Sequence, residues 1–286
     1  MTLLQSIILA IVEGLTEYLP ISSTGHLIIT SALMGINEEP FTKDFTVIVQ
    51  FGAILSVLVL YWRRFLTSID LYFKLLVGFI PAACIGLLLK DRIDLLLGNV
   101  QVVAWALIIG GVILIIIDKF TQREDLGAQL ASAIGRANAA AFSGESREAR
   151  ALNETKYSFA QAFVIGVFQC LAFVPGVSRS ASTIVGGLAV RLNRKSAAEF
   201  SFFLAVPTLT AASAYKLLKA YETIQPDQLP MIAIGNVVSF IVGLITIKAF
   251  VGYLSRYGFF VFGVYRIIVG AAILGLLYSG HSLRMM

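Results

Sequence analysis

LLQSIILAIVEGLTEYLPISSTGHLIITSALM, Leu3 to Met34, is an apolar stretch interrupted in its middle by polar chemistry. A hydrocarbon core takes about 20 consecutive apolar residues to cross, and neither Leu3–Val12 nor Leu27–Met34 is that long. Between them stand Glu13, Glu17, Pro20, Ser22, Ser23, Thr24, Gly25 and His26. The economical solution is a pair of half-helices that enters the membrane, turns at the polar motif and leaves on the same side. Irregular backbone at that depth is tolerated only where it lines a cavity or packs inside protein.

The rest of the chain fits this setting. Of 286 residues 58% are hydrophobic and only 14% charged, against roughly 25% charged in soluble domains, and mean hydropathy is +0.85. Six apolar windows, Phe45–Trp62, Leu75–Leu89, Val102–Ile117, Phe200–Leu217, Met231–Val251 and Phe259–Tyr278, are candidate spans, the second of them short. No basic segment precedes the first apolar run, so a signal peptide is not expected. Cys84 and Cys170 lie far apart in apolar segments and read as packed thiols. From Asp118 to Tyr157 the apolar runs stop, marking a polar linker with a surface helix in its Ala-rich part. The organisation expected is therefore a first membrane repeat (1–117), a linker (118–157) and a second membrane repeat (158–286).

The halves resemble one another. Tyr18-Leu19-Pro20 matches Phe173-Val174-Pro175, Ser23 falls on Ser178, and Asp44-Phe45-Thr46 falls on Glu199-Phe200-Ser201, each pair 155 positions apart. Phe159–Val174 and Ile184–Val190 flank the second motif as short apolar runs flank the first. Three spans per half reverse the second half relative to the first. The expected fold is an all-α polytopic membrane protein, an inverted repeat of six transmembrane helices plus two re-entrant half-helix pairs. Of the 22 Lys and Arg, fourteen fall on the linker's face and six on the face of the termini. The positive-inside rule then puts the linker in the cytoplasm and both termini outside.

Each motif carries its own chemistry. Glu13 and Glu17, four apart, share a helix face and near a membrane interior require a cation, a proton or an arginine. The Ser22-Ser23-Thr24-Gly25 turn offers hydroxyls and backbone N–H groups suited to an oxyanion, or Ser22 simply caps a helix. His26 is either an acid–base group near neutral pH or a hydrogen-bond partner for a carbonyl. In PGVSRSAST, Pro175 to Thr183, Arg179 has no acid within ten residues on either side and is surrounded by Ser178, Ser180, Ser182 and Thr183. Its planar guanidinium matches phosphate oxygens or pairs with Glu13 or Glu17. Arg266 either lines the cavity or snorkels to the interface. Gln50 and Gln169 are poised between the site and a neighbouring helix, and Asp44 and Glu199 read as helix caps.

These two motifs, with Gln50-Phe51-Gly52-Ala53-Ile54-Leu55, Ile80-Pro81-Ala82 and Ala205-Val206-Pro207, resemble the signatures of bacterial undecaprenyl-diphosphate phosphatases, the family also described as bacitracin-resistance proteins. Ala181 departs from the more usual glycine, and the linker looks longer than is common. The resemblance implies hydrolysis of a C55 polyprenyl diphosphate to its monophosphate at the outer face of the cytoplasmic membrane, recycling a carrier for cell-wall polymers. It also implies a divalent cation, Mg²⁺ or Ca²⁺. In that reading Glu17, Ser23, His26 and Arg179 are catalytic, and Ser22, Thr24, Gly25, Ser178, Ser180, Thr183 and Gln50 bind substrate. Glu13 and Glu17 hold the metal. Ser23 is the expected nucleophile, with activated water as the rival. Partners expected are the lipid substrate, membrane lipids and a second copy in a homodimer, with no nucleic acid. The alternative class is a transporter or flippase of a phosphorylated polyprenyl lipid, since broken helices in inverted repeats also build carriers.

Overall fold

A computed structural model of the chain describes residues 1–89, 93, 99–139, 157–221 and 223–279, the side chains of 122–139 and 255 excepted. Among these residues every regular element is helical: α1 (Leu3–Thr16), α2 (Ser23–Leu33), α3 (Pro40–Ile48), α4 (Gln50–Leu60), α5 (Trp62–Thr67), α6 (Ile69–Leu88), α7 (Val100–Ala139), α8 (Phe159–Gln169), α9 (Arg179–Ala189), α10 (Arg194–Ala220), α11 (Leu229–Tyr257) and α12 (Phe260–Tyr278), with two short 3₁₀ turns. An apolar solvent leaves the backbone only its own partners, which favours helices. Six segments are long and apolar enough to cross: Pro40–Leu60, Ile69–Leu88, Val100–Thr121, Arg194–Ala220, Pro226–Leu254 and Phe260–Tyr278.

The second span is not short. Its helix starts at Ile69, where Ser68 accepts the Leu71 N–H, and passes through an Asp70–Lys74 ion pair one turn apart that an apolar window misses. The linker expected from Asp118 begins as a continuation of α7, whose helix runs unbroken to Ala139. The remainder of that segment, 140–156, lies outside the described residues, as do Lys90, Arg92, Arg284 and His281. Cys84 is exposed rather than packed. Asp44 and Glu199 lie inside α3 and α10 and cap neither. Asp44 pairs with Lys216 at 2.8 Å, and Glu199 faces Arg64 and Lys195 at 3.9 and 4.0 Å.

At 14 and 11 residues, α1 and α2 reach only about 21 and 16 Å at 1.5 Å per residue. Both broken pairs are built alike. Thr2 with Gln5 forms a capping box at the start of α1, and Ser158 with Gln161 forms one at the start of α8. Ser22 caps α2 at φ 74° and Ser178 caps α9 at φ 78°, their hydroxyls accepting the Gly25 and Ala181 N–H groups. The cap serines are thus 156 apart, so Ser178 corresponds to Ser22 and not to Ser23. One residue separates Pro20 from its cap serine, whereas Gly176 and Val177 separate Pro175 from Ser178. Gly176 sits at φ 92°, which suits glycine.

The halves exchange partners: α1 packs on α11 of the second half, α8 on α6 of the first, and α7 on α12. The span Pro40–Leu60 breaks between α3 and α4, where the Gly52 N–H donates to Asn236 Oδ1 of α11 at 2.7 Å. A Cβ on Gly52 would come within 2.1 Å of the Asn236 carbonyl oxygen. In the second half Pro207, which has no N–H to give, lies inside α10, 155 positions from Gly52, and the helix runs on through it.

Arg266 of α12 joins the two motif turns. With no exposed surface, it donates to the carbonyls of Pro20 (3.0 Å), Val177 (3.0 Å), Gly176 (2.9 Å), Ala106 (3.0 Å) and Leu107 (3.3 Å). A guanidinium has five N–H donors, and five carbonyls take them. It neither lines the cavity nor snorkels, because turn carbonyls in an apolar interior need donors that no water can supply. Arg266→Met should lower the unfolding temperature in detergent by the equivalent of at least ~3 kcal/mol, and Arg266→Lys by less. An unchanged unfolding temperature in the Met variant would show that the turns do not depend on this residue.

Candidate active site

Glu17 follows the last residue of α1, and Ser23 is the first residue of α2. Next to Glu17, the fully buried Tyr18 donates its hydroxyl to the Ala53 carbonyl at 2.5 Å and packs edge-on against Phe202. That anchor fixes the backbone from which Glu17 projects. One Glu17 oxygen, Oε2, accepts the Ser23 hydroxyl. The other, Oε1, accepts Arg179 Nε at 3.3 Å and Nη2 at 3.1 Å. Arg179 is the first residue of α9, so serine, carboxylate and guanidinium form one chain across both halves. Its Nη1 donates to the Ser201 carbonyl at 2.8 Å, and Ser201 Oγ pairs with Thr183 Oγ1 at 2.6 Å. Side-chain exposure is 10% for Arg179 and 4% for Glu17, so this charge pair is largely shielded from solvent screening.

The chain borders a cavity of about 230 Å³. Glu17, Ser22, Ser23, Thr24, Gln50, Ser178 and Arg179 all line it. The first turns of α2 and α9 therefore meet in one space, each with helix N-terminal N–H groups that favour an anion. The cavity also reaches Ala82, Leu209 and Ala212, in the later parts of α6 and α10. Thr208 and Gln169 line it too, Thr208 Oγ1 donating to Gln169 Oε1 at 3.3 Å. Thr208 was not singled out in the sequence, and the only available signal was its place after Pro207 in a span.

Four expected site residues hold the turns instead of lining the cavity. Ser180 Oγ donates to the Leu19 carbonyl at 2.8 Å, binding the second turn to the first. Thr183 Oγ1 lies 2.9 Å from the Arg179 carbonyl, to which it donates, and pairs with Ser201 Oγ, the Ser201 carbonyl taking the guanidinium. Gly25 gives its N–H to Ser22 Oγ. The His26 ring lies outside the cavity, with Nδ1 2.8 Å from the Ser22 carbonyl and Nε2 2.7 Å from the Tyr265 hydroxyl.

Glu13 is fully buried and does not line the cavity, and its carboxyl group has the neighbouring Glu17 carboxyl to interact with. A resident divalent cation held by Glu13 and Glu17 does not fit this arrangement. Both Glu17 oxygens are engaged, one of them by a permanent cation that would repel a second, and Glu13 is sealed from the space the substrate would enter. Among the described residues, no group of three or more His, Cys, Asp or Glu could hold a metal.

Comparison with known proteins places this geometry in a lineage. A family model described as "Bacitracin resistance protein BacA" matches residues 6–272. Similar proteins named undecaprenyl-diphosphatase include one from Bdellovibrio bacteriovorus, 53% identical over 285 residues and covering 100% of both chains. One from Flavobacterium psychrophilum is 46% identical, and one from Porphyromonas gingivalis is 45% identical, each with 99% of both chains covered. With a match this long and motifs that converge on one cavity, the chain belongs to the bacitracin resistance protein BacA family.

Proposed function

We infer that this chain is an undecaprenyl-diphosphate phosphatase, a membrane hydrolase that splits undecaprenyl diphosphate into undecaprenyl phosphate and inorganic phosphate. The observation that carries the reading is the Ser23–Glu17–Arg179 chain at the cavity. Phosphoryl transfer asks a protein mainly for positioning and charge stabilisation, and these residues offer a hydroxyl, a base already bonded to it and a guanidinium.

In the proposed reaction Glu17 accepts the Ser23 proton as Oγ attacks the terminal phosphorus. The P–O bond to the bridging oxygen breaks, and undecaprenyl phosphate leaves with that oxygen and its electron pair. Protonating Glu17 removes the charge that held Arg179, so the guanidinium can turn to the phosphoryl oxygens as their charge grows. Glu17 gives its proton to the departing undecaprenyl phosphate. In the second half-reaction water attacks the phosphoserine and loses a proton to Glu17, the P–Oγ bond breaks, and Glu17 returns that proton to Ser23 Oγ as phosphate is released. His26 has no direct part in these transfers. Glu13 and Glu17 supply no ligand set for the divalent cation that family resemblance implies, and no step here uses one. A carrier would need charge complementarity alone, so the serine–carboxylate pair is what favours hydrolysis over transport.

The proposal extends to placement in the membrane. The short α1/α2 and α8/α9 pairs are read as re-entrant, and the exchanged packing of α1 on α11 and α8 on α6 supports an inverted repeat. The cavity reaches Ala82 and Ala212, toward the ends of α6 and α10 that lie on the side of the chain termini. By the positive-inside rule that side is the exterior of the cytoplasmic membrane, where a carrier released by envelope polymer synthesis would be recycled.

Ser23→Ala should lower kcat for a defined polyprenyl diphosphate by about 10³-fold or more without changing the unfolding temperature. Acid quenching of wild type with terminally ³²P-labelled substrate should trap phosphoserine. Near-normal turnover by Ser23→Ala would eliminate the covalent route. Arg179→Lys should cost about 10²–10³-fold in kcat, since a point charge replaces a fork. EDTA should leave the unfolding temperature of the substrate-free protein unchanged, whereas a resident cation would give a fall.

A further inference from the structure

The two cap serines are held in the same way by different chemistry. The Ser178 carbonyl accepts two bonds from Ser182, one from its N–H at 3.0 Å and one from its hydroxyl at 2.9 Å. The Ser22 carbonyl accepts two from His26, its N–H at 3.2 Å and its ring Nδ1 at 2.8 Å. His26 and Ser182 are each the fourth residue after their cap, so they occupy one position of the repeated turn. Both caps have positive φ, a conformation that non-glycine residues keep only where the surroundings over-determine it. In the second turn a hydroxyl suffices for that task.

The imidazole adds a second nitrogen. A carbonyl only accepts, so Nδ1 carries a proton, and in the neutral ring Nε2 then offers its lone pair. The Tyr265 hydroxyl lies 2.7 Å from Nε2, and the two rings run nearly parallel, 10° apart with centroids 5.6 Å from each other. Tyr265 directly precedes Arg266, which holds the Pro20 carbonyl at 3.0 Å. Consecutive residues of α12 thus grip the first turn on both sides of Ile21, at Pro20 and, through the imidazole, at Ser22.

We propose that Tyr265 is a positioning residue for the phosphatase reaction: through neutral His26 it locks the Ser22 carbonyl and thereby aims the adjoining Ser23 hydroxyl at the cavity. This rests on the phosphatase reading, with Ser23 as nucleophile. It assigns His26 an orienting task in place of acid–base work, and it explains why the ring turns away from the cavity. The imidazole takes the place of the Ser182 hydroxyl because it can reach α12.

Tyr265→Phe, which removes one oxygen, should lower kcat about 5- to 10-fold, the scale of one lost hydrogen bond, with KM within twofold and the shape of the pH–rate profile unchanged. His26→Ser, copying Ser182, should retain several-fold more kcat than His26→Ala. Tyr265→Phe should cost nothing further in a His26→Ser background, because its route runs through the ring. In ¹⁵N-histidine-labelled protein carrying His281→Asn, the single ring should show the neutral Nδ1–H form, with an Nε2 signal that shifts in Tyr265→Phe. That spectrum reads the pair without substrate, so it still decides the contact if the wild type releases no phosphate. Wild-type kcat in Tyr265→Phe, or an unshifted Nε2 signal, would overturn the proposal. So would loss of one limb of the pH–rate profile in His26→Ser, the mark of a proton-transfer role.

Discussion

Five carbonyl oxygens around one guanidinium make a single site out of two turns. Pro20 belongs to the first motif, Gly176 and Val177 to the second, and Ala106 and Leu107 to α7, and Arg266 gives all of them a donor. Turns that interrupt helices in an apolar interior expose carbonyls with no water to satisfy them, at about 1–3 kcal/mol each when left unpaired. A buried arginine is itself costly without partners, and here the two requirements answer one another. α7 must come very close for this: a Cβ at Gly110 would lie 2.2 Å from Arg266 Nη2.

The Ser23–Glu17–Arg179 chain depends on that frame. Glu17 and Arg179 come from different halves and meet only because Ser180 reaches the Leu19 carbonyl and Arg266 holds both turns. Once they meet, both Glu17 oxygens are committed, one to the Ser23 hydroxyl and one to the Arg179 guanidinium. The same commitment leaves no room for a dication on this carboxylate.

Sequence reading recovered the six spans, both polar turns and the pairing of an arginine in one motif with a carboxylate in the other. These follow from composition and charge, which act over whole windows. It went astray where a single residue's direction mattered. Ser23 was matched to Ser178 because a constant offset ignores the extra Gly176, although the backbone equates Ser178 with Ser22. Glu13 and Glu17 are neighbours as helical spacing requires, the Glu17 N–H still bonding the Glu13 carbonyl at 2.9 Å. What spacing could not show is that the cavity takes in Glu17 and leaves Glu13 buried behind it. For His26 the sequence left open an acid–base group or a partner for a carbonyl, and its Nδ1 does meet the Ser22 carbonyl; nothing in its neighbours indicated that Tyr265, 239 positions away, would meet the other nitrogen.

The sequence by itself determined that the chain is helical, crosses a membrane and buries two polar turns needing each other's charges, because apolar length and unpaired charge in hydrocarbon admit few other arrangements. Only the tertiary structure decided which hydroxyl bonds the carboxylate, which carboxylate meets the arginine, and that Arg179 borders the cavity while Arg266 holds the backbone. Those choices lie in non-helical turns, where no periodicity orients a side chain, and in partners brought together from opposite halves of the chain.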